Sequence, residues 1–387
     1  MPSLSFVKSF FKSEQAVGII LVLCALVSLI LTNTPIGEYY SGLWHHDIIG
    51  GINLELIIND GLMAVFFLMV GLELVREMKI GELSNPKNVL LPISAAIGGM
   101  IVPALIYSLF NYNTPTQSGF GIPMATDIAF ALGILSLLGN RVPVSLKIFL
   151  MTLAVIDDLG AIIVIAIFYT KDLDFLSLAA SIAIFVLLLL FKRSKVKYAL
   201  PYIIGGVFMW FFMLKSGIHA TIAGVLLAFT IPFGESADKK SMSLSFLHKL
   251  HYPVSFAILP LFALANTAIH VNTDLQHMLA ENEVLGILAG LILGKPIGIV
   301  LACFLVVKAL KLASLPSYTN WKSIVGIGFL GGIGFTMSIF ITMLAFAEAS
   351  VIDNSKLSIL IGSLLSGAIG YIVLKWNLKN EQDTHLS

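Results

Sequence analysis

An all-α membrane protein of many spans is what this 387-residue sequence predicts, on three observations. Its residues are 58% hydrophobic and 12% charged, with a mean hydropathy of +0.96. Apolar runs long enough to cross a hydrocarbon core follow one another along the chain. Basic residues gather in alternate loops. Nothing in this composition points to nucleic acid. Cys24 and Cys303 both fall in apolar segments with no spaced motif, so they read as small core residues and not as a disulfide or metal framework.

Twelve spans emerge from apolar runs closed by turn or charge clusters. The first, 16–33, follows MPSLSFVKSFFKSEQ, a basic amphipathic stretch without a small-residue cleavage pattern, which is expected to be retained. The loop from Asn33 to Ile57 is the longest one on its side. Residues 34–57 fit either a β-hairpin around Gly50-Gly51 or an irregular amphipathic loop. Asp60 begins the second span, 58–79, and Glu73, Arg76 and Glu77 close it. The third covers 89–110 and the fourth 121–139, the latter interrupted by Gly119, Gly121 and Pro123 just before Ala125-Thr126-Asp127. The fifth, 145–170, holds the adjacent Asp157 and Asp158. Spans 175–191, 198–214 and 217–232 follow, the last two parted by the turn Lys215-Ser216-Gly217. The ninth is 247–269 and the tenth, 284–307, contains Lys295. The eleventh, 322–346, carries Gly326, Gly328, Gly331, Gly332 and Gly334, and the twelfth is 354–376.

Loop charge tests this count. With a cytoplasmic amino terminus, Lys8, Lys12, Arg76, Lys79, Lys87, Arg141, Lys147, Lys192, Arg193, Lys195, Lys197, Lys239, Lys240, Lys249, Lys308, Lys311, Lys322, Lys375 and Lys379 lie inside. Lys171, Lys215 and Lys356 lie outside, so both termini are expected in the cytoplasm. Glycine and proline clustered inside spans 4 and 11 predict helices broken within the membrane, tolerated where freed backbone groups line a cavity or contact protein. These broken spans are the middle members of triplets 3–5 and 10–12, which start on opposite sides. That is the layout of an inverted-repeat secondary transporter. The chain is expected to be one integral membrane domain.

The intramembrane charges carry the functional argument. Asp157 and Asp158 are the charged residues between Lys147 and Lys171, Asp127 stands alone between Lys87 and Arg141, and Lys295 alone between Glu283 and Lys308. A carboxylate at such depth must be paired, hydrated, protonated or bound to a cation, and two neighbours repel each other. Three acids against one base leave a deficit that protons or a small hard cation would fill. A buried ion-pair network would account for Lys295 with one Asp, but not for the surplus. Asp127, after the break, is also placed to offset a helix dipole, and Thr126 and Thr336 to satisfy freed backbone groups. Glu73 and Glu77 share a helix face. With Arg76, His248 and His251 they form either a pH-responsive group or an ordinary interfacial cluster. His219 reads slightly more readily as a hydrogen-bonded bundle histidine than as a regulator.

Several motifs then resemble the bacterial NhaA sodium/proton antiporter family. They are Ala125-Thr126-Asp127-Ile128-Ala129-Phe130-Ala131-Leu132-Gly133, Val155-Ile156-Asp157-Asp158-Leu159-Gly160, Gly294-Lys295-Pro296-Ile297-Gly298 and Gly334-Phe335-Thr336-Met337-Ser338-Ile339-Phe340. Asn59-Asp60-Gly61-Leu62-Met63-Ala64-Val65-Phe66-Phe67 and Val70-Gly71-Leu72-Glu73 add to them. The resemblance implies a twelve-helix fold in which helices 4 and 11 cross near the midplane. It also implies electrogenic exchange of one sodium or lithium ion for two protons at the bacterial inner membrane, serving pH and sodium homeostasis, with no cofactor. Asp157 and Asp158 would hold the cation and protons. Asp127 and Lys295, with Thr126, would compensate charge at the broken helices, and Lys295 would also partner Asp157. Glu73, Arg76, Glu77, His251 and His219 would correspond to pH-response residues, and the 34–57 loop to a hairpin through which homodimers form. In one place the sequence departs from the family. Members with strong pH control carry a glutamate where Leu247 stands here.

Two other readings compete. An intramembrane aspartyl protease would pair aspartates facing one another from two helices, whereas adjacent residues point about 100° apart on one helix. A sodium-coupled symporter of an organic anion would need a roomier, more polar cavity than these small and apolar side chains offer.

Overall fold

Inside hydrocarbon every backbone N–H and C=O must find a partner within the protein, so uninterrupted apolar runs fold as helices. The computed structural model describes residues 14–49, 52–84, 86–170, 172–234, 241–271 and 275–385, and the fold is almost entirely helical. The amino-terminal stretch, Gly50-Gly51 and the loop lysines Lys171, Lys239 and Lys240 lie outside the described residues.

Among the described residues seven helices are long and apolar enough to cross a membrane, or nine when each of two bent pairs is taken as one span. Twelve spans are expected from the sequence; the seventh and eighth fall on the shorter helices Ala199–Lys215 and Thr221–Thr230. The ninth falls on Met242–Pro253, which continues through a π-helical turn, Val254–Ile258, into Leu259–Asn266. The bent pairs are Pro115–Met124 with Ile128–Ser136, bent by 42°, and Trp321–Gly331 with Phe335–Ala345, bent by 45°. Both fall where glycine and proline interrupt the fourth and eleventh predicted spans.

Internal contacts divide the chain into two compact units. The first comprises Met1–Asn33, Asn85–Ala161 and Asn266–Ser387, and therefore both bent pairs. Its helices approach closely. A Cβ on Gly98 would come within 2.3 Å of the Gly298 carbonyl oxygen, and one on Gly298 within 2.1 Å of that of Gly98. Only glycine lets Pro86–Phe110 and Lys295–Phe304 touch backbone to backbone at this point, the small-residue contact by which membrane helices pack. Glu14–Thr32 lies along Ile128–Ser136, and the Gln15 amide donates to the Ser136 carbonyl at 2.6 Å.

The second unit comprises Thr34–Ser84 and Ile162–Ala265. Here Thr221–Thr230 packs against Met63–Ile80, with Gly224 against the Ala64 carbonyl. The 34–57 loop folds as a helix, Gly37–His45, followed by two short antiparallel strands, β1 (Asp47–Ile49) and β2 (Ile52–Asn53), pairing Asp47 with Asn53 and Ile49 with Ile52. Asp174 caps Phe175–Arg193, and the Ser177 hydroxyl and Leu176 N–H hold its carboxyl below the usual carboxylate range.

Candidate functional site

The site lies in the first unit, where the two bent pairs exchange hydrogen bonds. Each break frees backbone groups that a continuous helix would satisfy. In the first pair, Pro115–Met124 is a 3-10 helix, Ala125 is extended, and Asp127 is the N-cap of Ile128–Ser136. Asp127 Oδ1 accepts from the Phe130 N–H at 2.9 Å, and its own N–H donates to the Ile333 carbonyl at 2.6 Å. Its Oδ2 accepts from the Thr336 N–H and hydroxyl at 3.1 and 2.6 Å, in the first turn of Phe335–Ala345. One carboxylate thus meets the positive ends of two half-helices. In return the Ser338 hydroxyl donates to the Ile122 carbonyl at 2.6 Å.

Next to the breaks lies a fully buried ion pair. Asp157 and Lys295 are both 0% exposed, and Lys295 Nζ lies 2.6 Å from Asp157 Oδ2. Lys295 is also hydrogen-bonded to the Met124 carbonyl, at the end of the 3-10 segment. It stands immediately after a π-helical turn, Gly290–Gly294, of a kind that recurs at functional sites. The Thr126 hydroxyl lies 2.8 Å from Asp157 Oδ2 and 2.8 Å from the Gly331 carbonyl, so a single proton serves two acceptors. Asp157 Oδ1 is buried with no hydrogen-bond partner. Asp158, 1% exposed, follows on the same helix, Val144–Phe168. Leaving a carboxylate oxygen without a donor in a dry interior is costly, and a bound cation or proton would relieve it.

The geometry sorts the residues expected from sequence. Thr126, Asp127, Asp157, Asp158 and Lys295 all belong to the first unit. Lys295 is bound to Asp157, the partner that the family resemblance implies for it, and Asp127 to the N–H groups and hydroxyl just described. The six pH-response candidates belong to the second unit. There the Arg76 guanidinium meets Glu77 Oε1 at 2.7 Å, and Glu77 Oε2 accepts from the Glu82 N–H at 3.2 Å, so the pair closes the end of Met63–Ile80. Glu73 is within electrostatic reach of both Arg76 and Glu77. His248 and His251 are exposed on Met242–Pro253, which packs against that same helix. His219 bonds through Nε2 to the Tyr169 carbonyl at 3.1 Å.

Sequence reasoning missed Ser363 and Ser366. Ser363 Oγ accepts from the N–H groups of Gly334 and Phe335 at 3.2 and 3.1 Å, capping the second half-helix of the second pair. Ser366 donates to the Phe329 carbonyl at 2.7 Å, closing the first half-helix. Nothing local marks them, since Ser355 and Ser358 stand at the same spacing in the same span.

The family model described as Na+/H+ antiporter 1 matches residues 8–374 of the chain. The chain is 58% identical to the Na+/H+ antiporter NhaA of Flavobacterium psychrophilum over 373 residues, 96% of each chain. It is 56% identical over 376 residues to the Na+/H+ antiporter NhaA of Dechloromonas aromatica, again covering 96% of each. Among solved structures, its fold is similar to that of the sodium proton antiporter MjNhaP1 from Methanocaldococcus jannaschii. The TM-score is 0.51 at 16% identity, covering 92% of this chain and 97% of that one.

Proposed function

The chain belongs to the Na+/H+ antiporter 1 family, and from that premise we propose that it exchanges sodium ions for protons across the bacterial inner membrane, with both termini in the cytoplasm. In this reading Asp157 and Asp158 are the exchange site, and either one sodium ion or protons occupy them. The observation that carries it is the buried oxygen Asp157 Oδ1, which has no hydrogen-bond partner although Oδ2 is held by Lys295, beside the buried carboxyl of Asp158. Two adjacent carboxylates repel each other in a low-dielectric interior, and a cation or protons would relieve them.

The exchange then runs as a competition. A sodium ion reaching Asp157 Oδ1 and Asp158 offsets the repulsion between the two carboxylates and weakens the hold of Lys295 on Asp157. Among the described residues no cluster of three or more acidic, histidine or cysteine side chains gathers for a metal. In this reading the ion's remaining ligands are water, hydroxyls and backbone carbonyls near the breaks, which suit a hard monovalent ion held briefly. Two protons returning to the group for each ion leaving would move net charge, so transport is electrogenic. Lithium, equally hard and smaller, follows the same route. The β1–β2 pair presents an unpaired strand edge through which two copies would join as a homodimer, and the acid and histidine group of the second unit sets the response to pH.

A protease reading fails on the same ion pair, because an aspartate held by Lys295 cannot share a proton with a partner aspartate as general acid and base. The test is direct. In everted vesicles with a preset proton gradient, sodium or lithium addition dissipates the gradient with the native protein and does not with Asp158→Asn. Normal dissipation by Asp158→Asn overturns the site.

A further inference from the structure

The break in the second bent pair contains no charged side chain of its own, and its half-helix ends are held by Asp127, at the Thr336 N–H and hydroxyl, and by two serines. Ser363 and Ser366, 2% and 0% exposed, hold it from one face of Ala349–His385. Ser363 takes the N–H groups of Gly334 and Phe335, and Ser366 gives its proton to the Phe329 carbonyl. Ser366 Oγ also lies 3.5 Å from the Leu291 carbonyl, inside the π-helical turn that presents Lys295. Space there is tight, since a Cβ on Gly332 would come within 2.4 Å of Ser366 Oγ and 2.3 Å of the Leu291 oxygen. One hydroxyl thus touches two helices that converge on the exchange site.

What Ser366 fixes reaches Asp157 in two further contacts. Phe329 lies two residues before Gly331, the last residue of its half-helix, and the Gly331 carbonyl is one of the two acceptors of the Thr126 hydroxyl. The other is Asp157 Oδ2. A hydroxyl with one proton and two acceptors divides it according to which acceptor is better placed and more negative. While Gly331 is held in place, it draws the Thr126 proton partly away from Asp157. When Gly331 moves off, the proton settles on Asp157 Oδ2, where it competes with an incoming cation for the same carboxylate.

Resting on the assignment of the cation to Asp157, we propose that Ser363 and Ser366 are positioning residues that set sodium affinity by holding the second break so that the Gly331 carbonyl shares the Thr126 hydroxyl. Loss of the Ser366 hydroxyl leaves the Phe329 carbonyl to the Gly332 N–H at 2.9 Å, removes the brace from the neighbouring helix, lets the half-helix end shift, and leaves Thr126 committed to Asp157. The effect falls on cation binding and not on the moving step, so half-saturating sodium rises while the maximal rate holds.

Sodium titrations in everted vesicles, normalised to the amount of folded protein, test this. Ser366→Ala is expected to raise half-saturating sodium roughly three- to tenfold, the scale of one lost buried hydrogen bond, with a maximal rate within about twofold. Ser363→Ala is expected to move it in the same direction by less. If Ser366→Ala does not reach the membrane, Ser366→Cys carries the test, since it keeps the size with a weaker donor and is expected to give a smaller rise of the same kind. In a Thr126→Val background Ser366→Ala should add nothing, because the link through which it acts is gone. Native sodium dependence in Ser366→Ala or Ser366→Cys overturns the proposal. So does additivity with Thr126→Val, or a loss of rate that simply follows the loss of folded protein. Asp158→Asn run alongside separates the two levels: if it exchanges normally, the site reading has failed, whereas a native-like Ser366→Ala beside an inactive Asp158→Asn fails the positioning role alone.

Discussion

The two bent pairs pose the same mechanical problem and solve it with different chemistry. They bend by 42° and 45°, and each leaves half-helix ends inside an apolar environment. At the first break Asp127 supplies the capping, one carboxylate accepting from Phe130 and Thr336. At the second, Asp127 reaches across to the Thr336 N–H and hydroxyl, and the helix that follows adds only neutral hydroxyls: Ser363 accepts from Gly334 and Phe335, and Ser366 donates to Phe329. The spacing matches as well. Asp157 stands thirty residues beyond the N-cap Asp127, and Ser363 stands twenty-nine beyond the N-cap Gly334. The second break therefore takes no charge from the helix that follows it, Ala349–His385. Serines take that place beside the second break, so the charge at Asp157 and Asp158 exceeds what bending asks of the following helix, and its purpose has to be sought in what binds there.

The sharpest way to break this comparison is to give the first half the chemistry of the second. Asp157→Ser is expected to abolish sodium-dependent dissipation of a proton gradient in everted vesicles, to background, while the protein remains folded enough to purify. Retained exchange would mean that charge at Asp157 is dispensable and that the two halves differ in decoration alone. The next effect is on stability. Lys295→Ala leaves Asp157 buried with its main counter-charge gone, which costs about 3–5 kcal/mol when one partner of a buried pair is removed. A clearly lowered melting temperature in detergent is expected, largely restored by Asp157→Asn in the same chain. An unchanged melting profile for Lys295→Ala would show that water or another group replaces the ammonium, and that the pair does not hold the first half together.

Much of this was readable in the sequence, for reasons particular residues make plain. Isolated charges in apolar runs are conspicuous because hydrocarbon makes them expensive, so Asp127, Asp157, Asp158 and Lys295 stood out, as did the glycine clusters that mark both breaks. Pairing was implied by the family resemblance, which gives Lys295 to Asp157, and was less legible from the residues themselves. An ammonium twelve residues inside a span reaches whichever acid the helix crossings bring near it, and periodicity does not encode crossings. Hence Lys295 meets Asp157, while Asp127 turns to backbone N–H groups. Serine was silent for a related reason. In an apolar span it usually bonds back to its own helix, as Ser358 does to Asn354, so nothing local separates it from Ser363 and Ser366, which brace a neighbouring helix. The π-helical turn before Lys295 left no trace in composition either. The short helices at the seventh, eighth and ninth positions show why span counting by hydropathy is strained where helices are brief.

The smallest expected effect tests the other side of the comparison, that Asp127 is mainly a cap. Its two oxygens accept three hydrogen bonds, two at Thr336 and one from Phe130. Asp127→Asn keeps the shape and one acceptor oxygen but turns an amide NH2 toward an existing donor, so at least one of these bonds is lost. The Thr336 hydroxyl can rotate and accept from that amide, which limits the damage to about 1–2 kcal/mol, the usual scale for a helix cap. Because the ion pair of Asp157 with Lys295 is untouched, exchange should continue with a modest change in half-saturating sodium and a small drop in melting temperature. The same drop is expected in Thr336→Val, which deletes the hydroxyl without altering charge, and the double variant should fall short of the sum. Complete loss of exchange in Asp127→Asn, with Thr336→Val still active, would place the charge of Asp127 in the transport step. The first break would then differ from the second in function as well as in the means of its capping.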